Sequence, residues 1–78
     1  MAPIVTLITR ADCYLCDDAR EVVESECSRA QVGWEEIDVD SDPDLVAEHG
    51  DHVPVVLVDG VVRGFWRIDA DQLRDALS

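Results

Sequence analysis

Cys13 and Cys16 stand where the chain changes its hydrophobic period, inside the acidic stretch DCYLCDD. Ahead of them, Ile4 to Thr9 (IVTLIT) is a β-branched, nearly continuous apolar run, the pattern of a strand covered on both faces. Behind them, from Cys13 to about Ala30, the residues Cys16, Ala19, Val23, Cys27 and Ala30 recur at helical spacing, and Leu15 and Val22 widen that stripe. A strand that feeds directly into an amphipathic helix must fold back so that the stripe covers the sheet. The two cysteines are thereby fixed at the mouth of the turn.

The rest of the chain repeats this alternation. Gly33 punctuates, and Trp34 to Val39 (WEEIDV) reads as a strand whose acids suit a sheet edge. DPDLVAEHG carries its own helix boundaries: Asp42 as N-cap, Pro43 in the first helical position, Asp44 in the first turn and Gly50 as terminator. Beyond His52-Val53-Pro54, the segment VVLVDGVVRGFW is two apolar strands joined by the two-residue turn Asp59-Gly60. Asp69, with Gln72 three residues on, is a capping-box arrangement that opens a final helix. The order is βαβαββα.

A chain of 78 residues without repeats or linkers allows one small core, so a single domain over 1–78 is expected. Successive strand–helix–strand connections predict right-handed parallel crossovers, and the hairpin then adds one antiparallel strand. The apolar first and third strands belong in the centre and the acidic second strand at an edge. The result is an α/β, four-stranded mixed sheet of order 2-1-3-4 with helices on both faces, a thioredoxin-like fold.

Eighteen acids against six bases, all arginine, give a net charge of −12. So acidic a surface repels phosphate backbones and anionic membranes; neither nucleic acid nor membrane is an expected partner, and proteins with basic patches are. The opening MAPIVTLITR has no basic residue ahead of its short apolar run, so a cytoplasmic protein without a signal peptide is expected. Three cysteines, an odd number, do not make a disulfide framework; one pair with a third left over fits a redox or metal site in a reducing compartment.

Local chemistry assigns roles to the pair. Asp12 is the expected N-cap, which sets Cys13 near unpaired N–H groups and the positive end of the helix dipole. These favour its thiolate, as does an S–H from Cys16, while Asp17 and Asp18 oppose it. Cys13, exposed at the helix tip, is the attacking thiol, and Cys16, on the buried stripe, is the resolving one. Cys27 lies about 16 Å beyond Cys16 along the helix axis, out of disulfide range, and reads as a small core residue. Zinc would need two more ligands, and the His49/His52 pair, after a 32-residue gap, matches no ordinary finger, so no metal or other cofactor is expected. The alternating Asp38, Asp40, Asp42 and Asp44 lack the glycine and the twelfth-position glutamate of a calcium loop. Trp34 and Trp66 read as core-edge or rim aromatics.

A strand ending in ITR, ADCYLC opening a helix, VP ahead of a strand and a DG hairpin together resemble a glutaredoxin. More narrowly, DCYLCDDA resembles the active stretch of the short bacterial glutaredoxin-like proteins long filed as a domain of unknown function. The resemblance spans Ile4 to Leu77. It implies a cis-proline at Pro54 that leaves the Val53 backbone free to pair with a substrate strand. It also implies a substrate groove formed by Arg10, Tyr14, Val53 and Pro54, with Arg10 where many glutaredoxins carry lysine and His52 where they carry the threonine of Thr-Val-Pro. The implied activity is a thiol-disulfide oxidoreductase acting on a disulfide-containing protein or low-molecular-weight thiol substrate, recharged by a reductase or thiol donor. Two alternatives stay open: a non-catalytic interaction domain for a basic partner, and a metal or iron–sulfur carrier. One departure stands out. Glutaredoxins hold the γ-glutamyl end of glutathione with a Gly-Gly followed closely by an acid, whereas RGFWRID has Phe65 after Gly64, and a bulky side chain blocks close backbone approach. Weak use of glutathione is therefore expected.

Overall fold

The computed structural model describes residues 3–78, so residues 1 and 2 of the expected 1–78 domain lie outside it. The elements are β1 (Val5–Thr9), α1 (Tyr14–Ala30), β2 (Trp34–Asp38), a 3₁₀ turn (Val39–Ser41), α2 (Pro43–His49), β3 (Val55–Val58), β4 (Val61–Phe65) and α3 (Ala70–Leu77). Hydrogen bonding orders the sheet β2-β1-β3-β4, with the two most apolar strands inside. Because side chains alternate along a strand, β1 and β3 divide the core between two faces. Val5, Leu7, Val56 and Val58 join Ala19, Val23 and Cys27 of α1 and Leu73 of α3 in one buried cluster. Ile8 and Val55 pack on the other face with Val39 and with Leu45 of α2. Helices therefore cover both faces.

One connection differs from expectation. β1 and β2 are parallel, but β3 runs antiparallel to β1. The seven residues of α2 advance only about 10 Å, against about 17 Å for a five-residue strand, so α2 alone does not carry the chain back to the starting end of the sheet. The chain re-enters where β1 and β2 finish. Since Ile8 pairs with Val55, continuing that register sets Pro54 beside Thr9 and Val53 beside Arg10. The antiparallel turnabout thus brings the Val-Pro pair to the same end of the sheet as the cysteines.

Local signals act as their chemistry dictates. Asp59 and Gly60 both have positive φ, 53° and 80°, as a two-residue hairpin with the twist of its strands requires. Oδ1 of Asp42 accepts the Asp44 N–H, and Oδ1 of Asp69 accepts those of Asp71 and Gln72. Along α1 the buried stripe departs from the pattern at two places. Ala30 is exposed, and Glu26 is 5% exposed, its carboxylate held by the guanidinium of Arg74 on α3 at 2.8 and 3.0 Å.

Candidate dithiol site

Asp12 does not cap α1. It occupies the left-handed region at φ 58°, which a short polar side chain tolerates, and Cys13, extended at φ −115° and ψ 117°, becomes the N-cap. Its sulfur does what a capping oxygen would do, accepting the Cys16 N–H at 3.2 Å. The helix starts one residue later than the acid would have set it. Cys13 is left half-buried at the tip, while Cys16 is 1% exposed beneath it.

Cys16 is set apart from Cys13 chemically as well. Burial pushes its thiol up to about 11, and the hydrogen bond with Cys13 and the charge of Cys13 push the same way; the Arg10 N–H and Arg20 pull it down. That Arg10 N–H donates to Cys16 Sγ at 3.4 Å. The buried sulfur is therefore a thiol at neutral pH.

An open cleft of about 460 Å³ lies over Cys13, lined by Arg10, Asp12, Tyr14, Asp17 and Arg20. Tyr14 stands at its lip, 90% exposed. Arg10 is less available than its position suggests. Nε and Nη2 meet the Asp40 carboxylate at 3.3 and 3.4 Å, and Nη1 donates to the Gly50 carbonyl at 3.2 Å. Arg20, which the sequence pattern did not single out, is engaged even more fully. It grips both oxygens of Glu36 at 2.7 and 2.8 Å and donates to Asp17 at 2.9 Å, while the Thr9 hydroxyl donates to Glu36 at 2.8 Å. The Arg20 hydrogen bond holds the Glu36 carboxyl below the usual carboxylate range. Asp17 three residues earlier on the same helix was the available signal for Arg20.

On the strand side, the Val53–Pro54 bond is cis, with Pro54 buried and Val53 half-buried. The Pro54 carbonyl accepts the Trp66 N–H at 2.9 Å, and the indole N–H donates to the Asp51 carbonyl at 3.1 Å. His52 goes to this aromatic group. Its ring stacks on Trp66 at 5.9 Å and 28°, and Phe65 stands edge-on to both at 5.5 and 5.2 Å. Leu15, between the two cysteines, lines a second cleft with Phe65, Trp66 and Arg67. Trp66 is the rim aromatic that the sequence suggests, and it stands beside the site. Cys27 lies fully inside the core. His49 is half-buried with its Nε2 3.4 Å from Glu48.

A parallel β1–β2 pair, an antiparallel β3–β4 hairpin and a dithiol at the β1–α1 junction define a thioredoxin-like protein. The chain belongs to the glutaredoxin-like domain family (DUF836), which it matches over residues 4–78. It is 39% identical over 77 residues to an uncharacterized protein of Mycobacterium tuberculosis (strain ATCC 25618 / H37Rv), covering 92% of this chain and 79% of that one. The X-ray structure of a protein from X. campestris, 33% identical, superposes with a TM-score of 0.71 over 91% of each chain. A mutant thioredoxin from Halobacterium salinarum NRC-1, 25% identical, superposes with a TM-score of 0.69 over 97% of this chain and 72% of that one.

Proposed function

We propose that the protein is a thiol-disulfide oxidoreductase in which Cys13 attacks and Cys16 resolves. The asymmetry of the pair carries this reading: Cys13 opens into a cleft, and Cys16 is buried directly below it with a thiol pushed up to about 11 by burial. The Cys13 thiolate bonds to one sulfur of a substrate disulfide, and the other sulfur leaves as a thiolate that takes up a proton. Cys16 then gives up its proton and attacks the Cys13 sulfur. A Cys13–Cys16 disulfide forms, and the retained half of the substrate leaves and is protonated in turn. Two electrons and two protons pass to the substrate. Once Cys13 is in the mixed disulfide, its charge and its hydrogen bond no longer hold the Cys16 proton, so two of the causes that raise Cys16 fall away when it must react.

The flanking residues fit this cycle. Val53 and Pro54 directly precede the Ile8–Val55 pair and offer backbone to an extended substrate segment, with Arg10 and Tyr14 lining the cleft over Cys13. Substrates are disulfide-bearing proteins or mixed disulfides of small thiols, and a reductase or thiol donor of a reducing cytoplasm restores the dithiol. Glutathione suits the site poorly. Phe65 and Trp66, 46% and 51% exposed, stand directly after Gly64, and both arginines of the cleft are already engaged by carboxylates. The test is to follow oxidation of the reduced protein by oxidised glutathione and by protein disulfides. Net formation of a Cys13–Cys16 disulfide supports the proposal; a dithiol that neither reagent oxidises overturns it in favour of a non-catalytic interaction domain.

A further inference from the structure

The cleft over Cys13 and the aromatic wall lie on opposite sides of α1. At about 100° per residue, Cys13, Asp17 and Arg20 share one side of the helix, and Leu15, Asp18 and Val22 share the other. The two sides differ in character. On the Cys13 side, Asp12 and Asp17 line the cleft with Arg10 and Arg20. Those guanidiniums are already held by Asp40 outside the cleft and by Glu36 and Asp17, so four carboxylates surround two cations. Asp12 has no cationic partner among the described residues. On the Leu15 side, Phe65 and Trp66 present about half of their surface, fixed by the His52 stack and by the two N–H bonds of Trp66 to Pro54 and Asp51. Asp18 and Arg67 border that side and offset each other in charge.

We propose that the site selects disulfides carried on cationic polypeptide segments with an apolar side chain close to the cysteine. This rests on the oxidoreductase reading of Cys13 and Cys16 and narrows its substrate. Electrostatic complementarity identifies the occupant: a chain of net charge −12, with four carboxylates around two guanidiniums beside its nucleophile, draws cations and repels anionic thiols. A polypeptide fits this arrangement better than a small cationic thiol, because the Asp12 side and the Leu15–Phe65–Trp66 wall lie on opposite sides of a helix about 10 Å across, a span that an extended segment of several residues covers. Its backbone crosses at Val53, its cationic residues meet the Asp12 side, and its apolar side chain covers the indole. Chemistry at the sulfur is the exchange described above, unchanged.

The experiment uses the full chain with Cys16→Ser, which stops at the mixed disulfide on Cys13. Matched peptide disulfides carry arginine or glutamate around the cysteine and leucine or serine beside it, and each rate is divided by that of the same peptide with a neutral small thiol. The cationic peptides should react about tenfold faster or more than the anionic ones at low salt, with the advantage shrinking severalfold as added salt shortens the Debye length. In Trp66→Ala the advantage of leucine over serine should disappear, and in Asp12→Asn the cationic advantage should narrow. Equal normalised rates for cationic and anionic peptides at low salt, with neutral bis(2-hydroxyethyl) disulfide reacting, would overturn the selection alone. No reaction of Cys13 with that neutral disulfide would instead overturn the oxidoreductase reading beneath it. The salt dependence needs neither surface variant, so a variant that misfolds leaves the test intact.

Discussion

The amide of Cys16 donates to the sulfur of Cys13 at 3.2 Å, so the second cysteine anchors the first through its backbone while its own side chain is buried. The pair is therefore unequal before any substrate arrives. Limited iodoacetamide at neutral pH should label Cys13 well before Cys16 or Cys27, read by mass spectrometry of the intact chain and its peptides. Cys16→Ser should accumulate a mixed disulfide on Cys13, because the resolving thiol is gone. Labelling that begins at Cys27 would sink the assignment, since that sulfur is fully enclosed.

The pH dependence of Cys16 follows from the causes that raise it. With the thiol pushed up to about 11, its alkylation should climb about tenfold per pH unit through the alkaline range and level off only near that value. Burial is the largest cause, and the Cys13 hydrogen bond and charge come after it. Cys13→Ala removes the last two and leaves the first. The rise should then occur at lower pH than in the parent chain but still above the ordinary thiol range, as followed by pH-dependent alkylation rates. A profile that does not move would show that Cys13 has no hold on the Cys16 proton.

What the sequence disclosed and what it hid divide along a physical line. The hairpin at Asp59-Gly60, the caps at Asp42 and Asp69 and the dithiol at the strand-to-helix junction are set by neighbours within a few residues, and each stands where its local chemistry requires. The direction of β3 is not local. It depends on the length of α2 against the depth of the sheet, which a connection rule for strand–helix–strand units does not weigh. The α1 cap failed for a narrower reason: Asp12 and Cys13 are adjacent acceptors, and the turn turns Asp12 away and leaves the sulfur to do the work. Trp66 was visible as an aromatic, but its link to the site is a backbone bond to Pro54, for which no side-chain pattern exists.

Glu26 was hidden in the same way, a charge on the buried stripe whose partner Arg74 lies 48 residues further along the chain. Removing that partner by Arg74→Met leaves a buried carboxylate without its cation, and Tm should fall by several degrees at neutral pH. The Arg74 hydrogen bond lowers the Glu26 carboxyl, so the pair's contribution is present above the ordinary carboxylate value of 4.5 and is lost as pH falls through the folded-state value. The difference between parent and variant should therefore be largest near neutrality and shrink in acid. Changing both residues to leucine should restore much of the loss, because no unpaired charge then remains inside. A Tm that Arg74→Met leaves unchanged at neutral pH would show that solvent already satisfies Glu26.

Arg10 supplies the last prediction. The resemblance implies it as a contact for a substrate carboxylate, yet its guanidinium is held by Asp40 and the Gly50 carbonyl. An incoming carboxylate must displace Asp40 from it. Glutathione, a net anion, must also approach through the surrounding negative field, and it meets Phe65 and Trp66 where a close backbone approach would be needed. Weak turnover in a glutathione-coupled mixed-disulfide assay is the expected outcome for the parent chain, with better turnover from a dithiol donor or a flavin-dependent reductase. Asp40→Asn removes the competing carboxylate while Arg10 keeps its bond to Gly50, so glutathione-dependent kcat/KM should rise a few-fold. The rise should fade with added salt, because both partners are substantially exposed. Arg10→Ala in the Asp40→Asn background should abolish the gain. Robust, saturable glutathione turnover in the parent chain that Arg10→Ala does not impair would show that neither the engaged arginine nor the aromatic wall governs which thiol the site accepts.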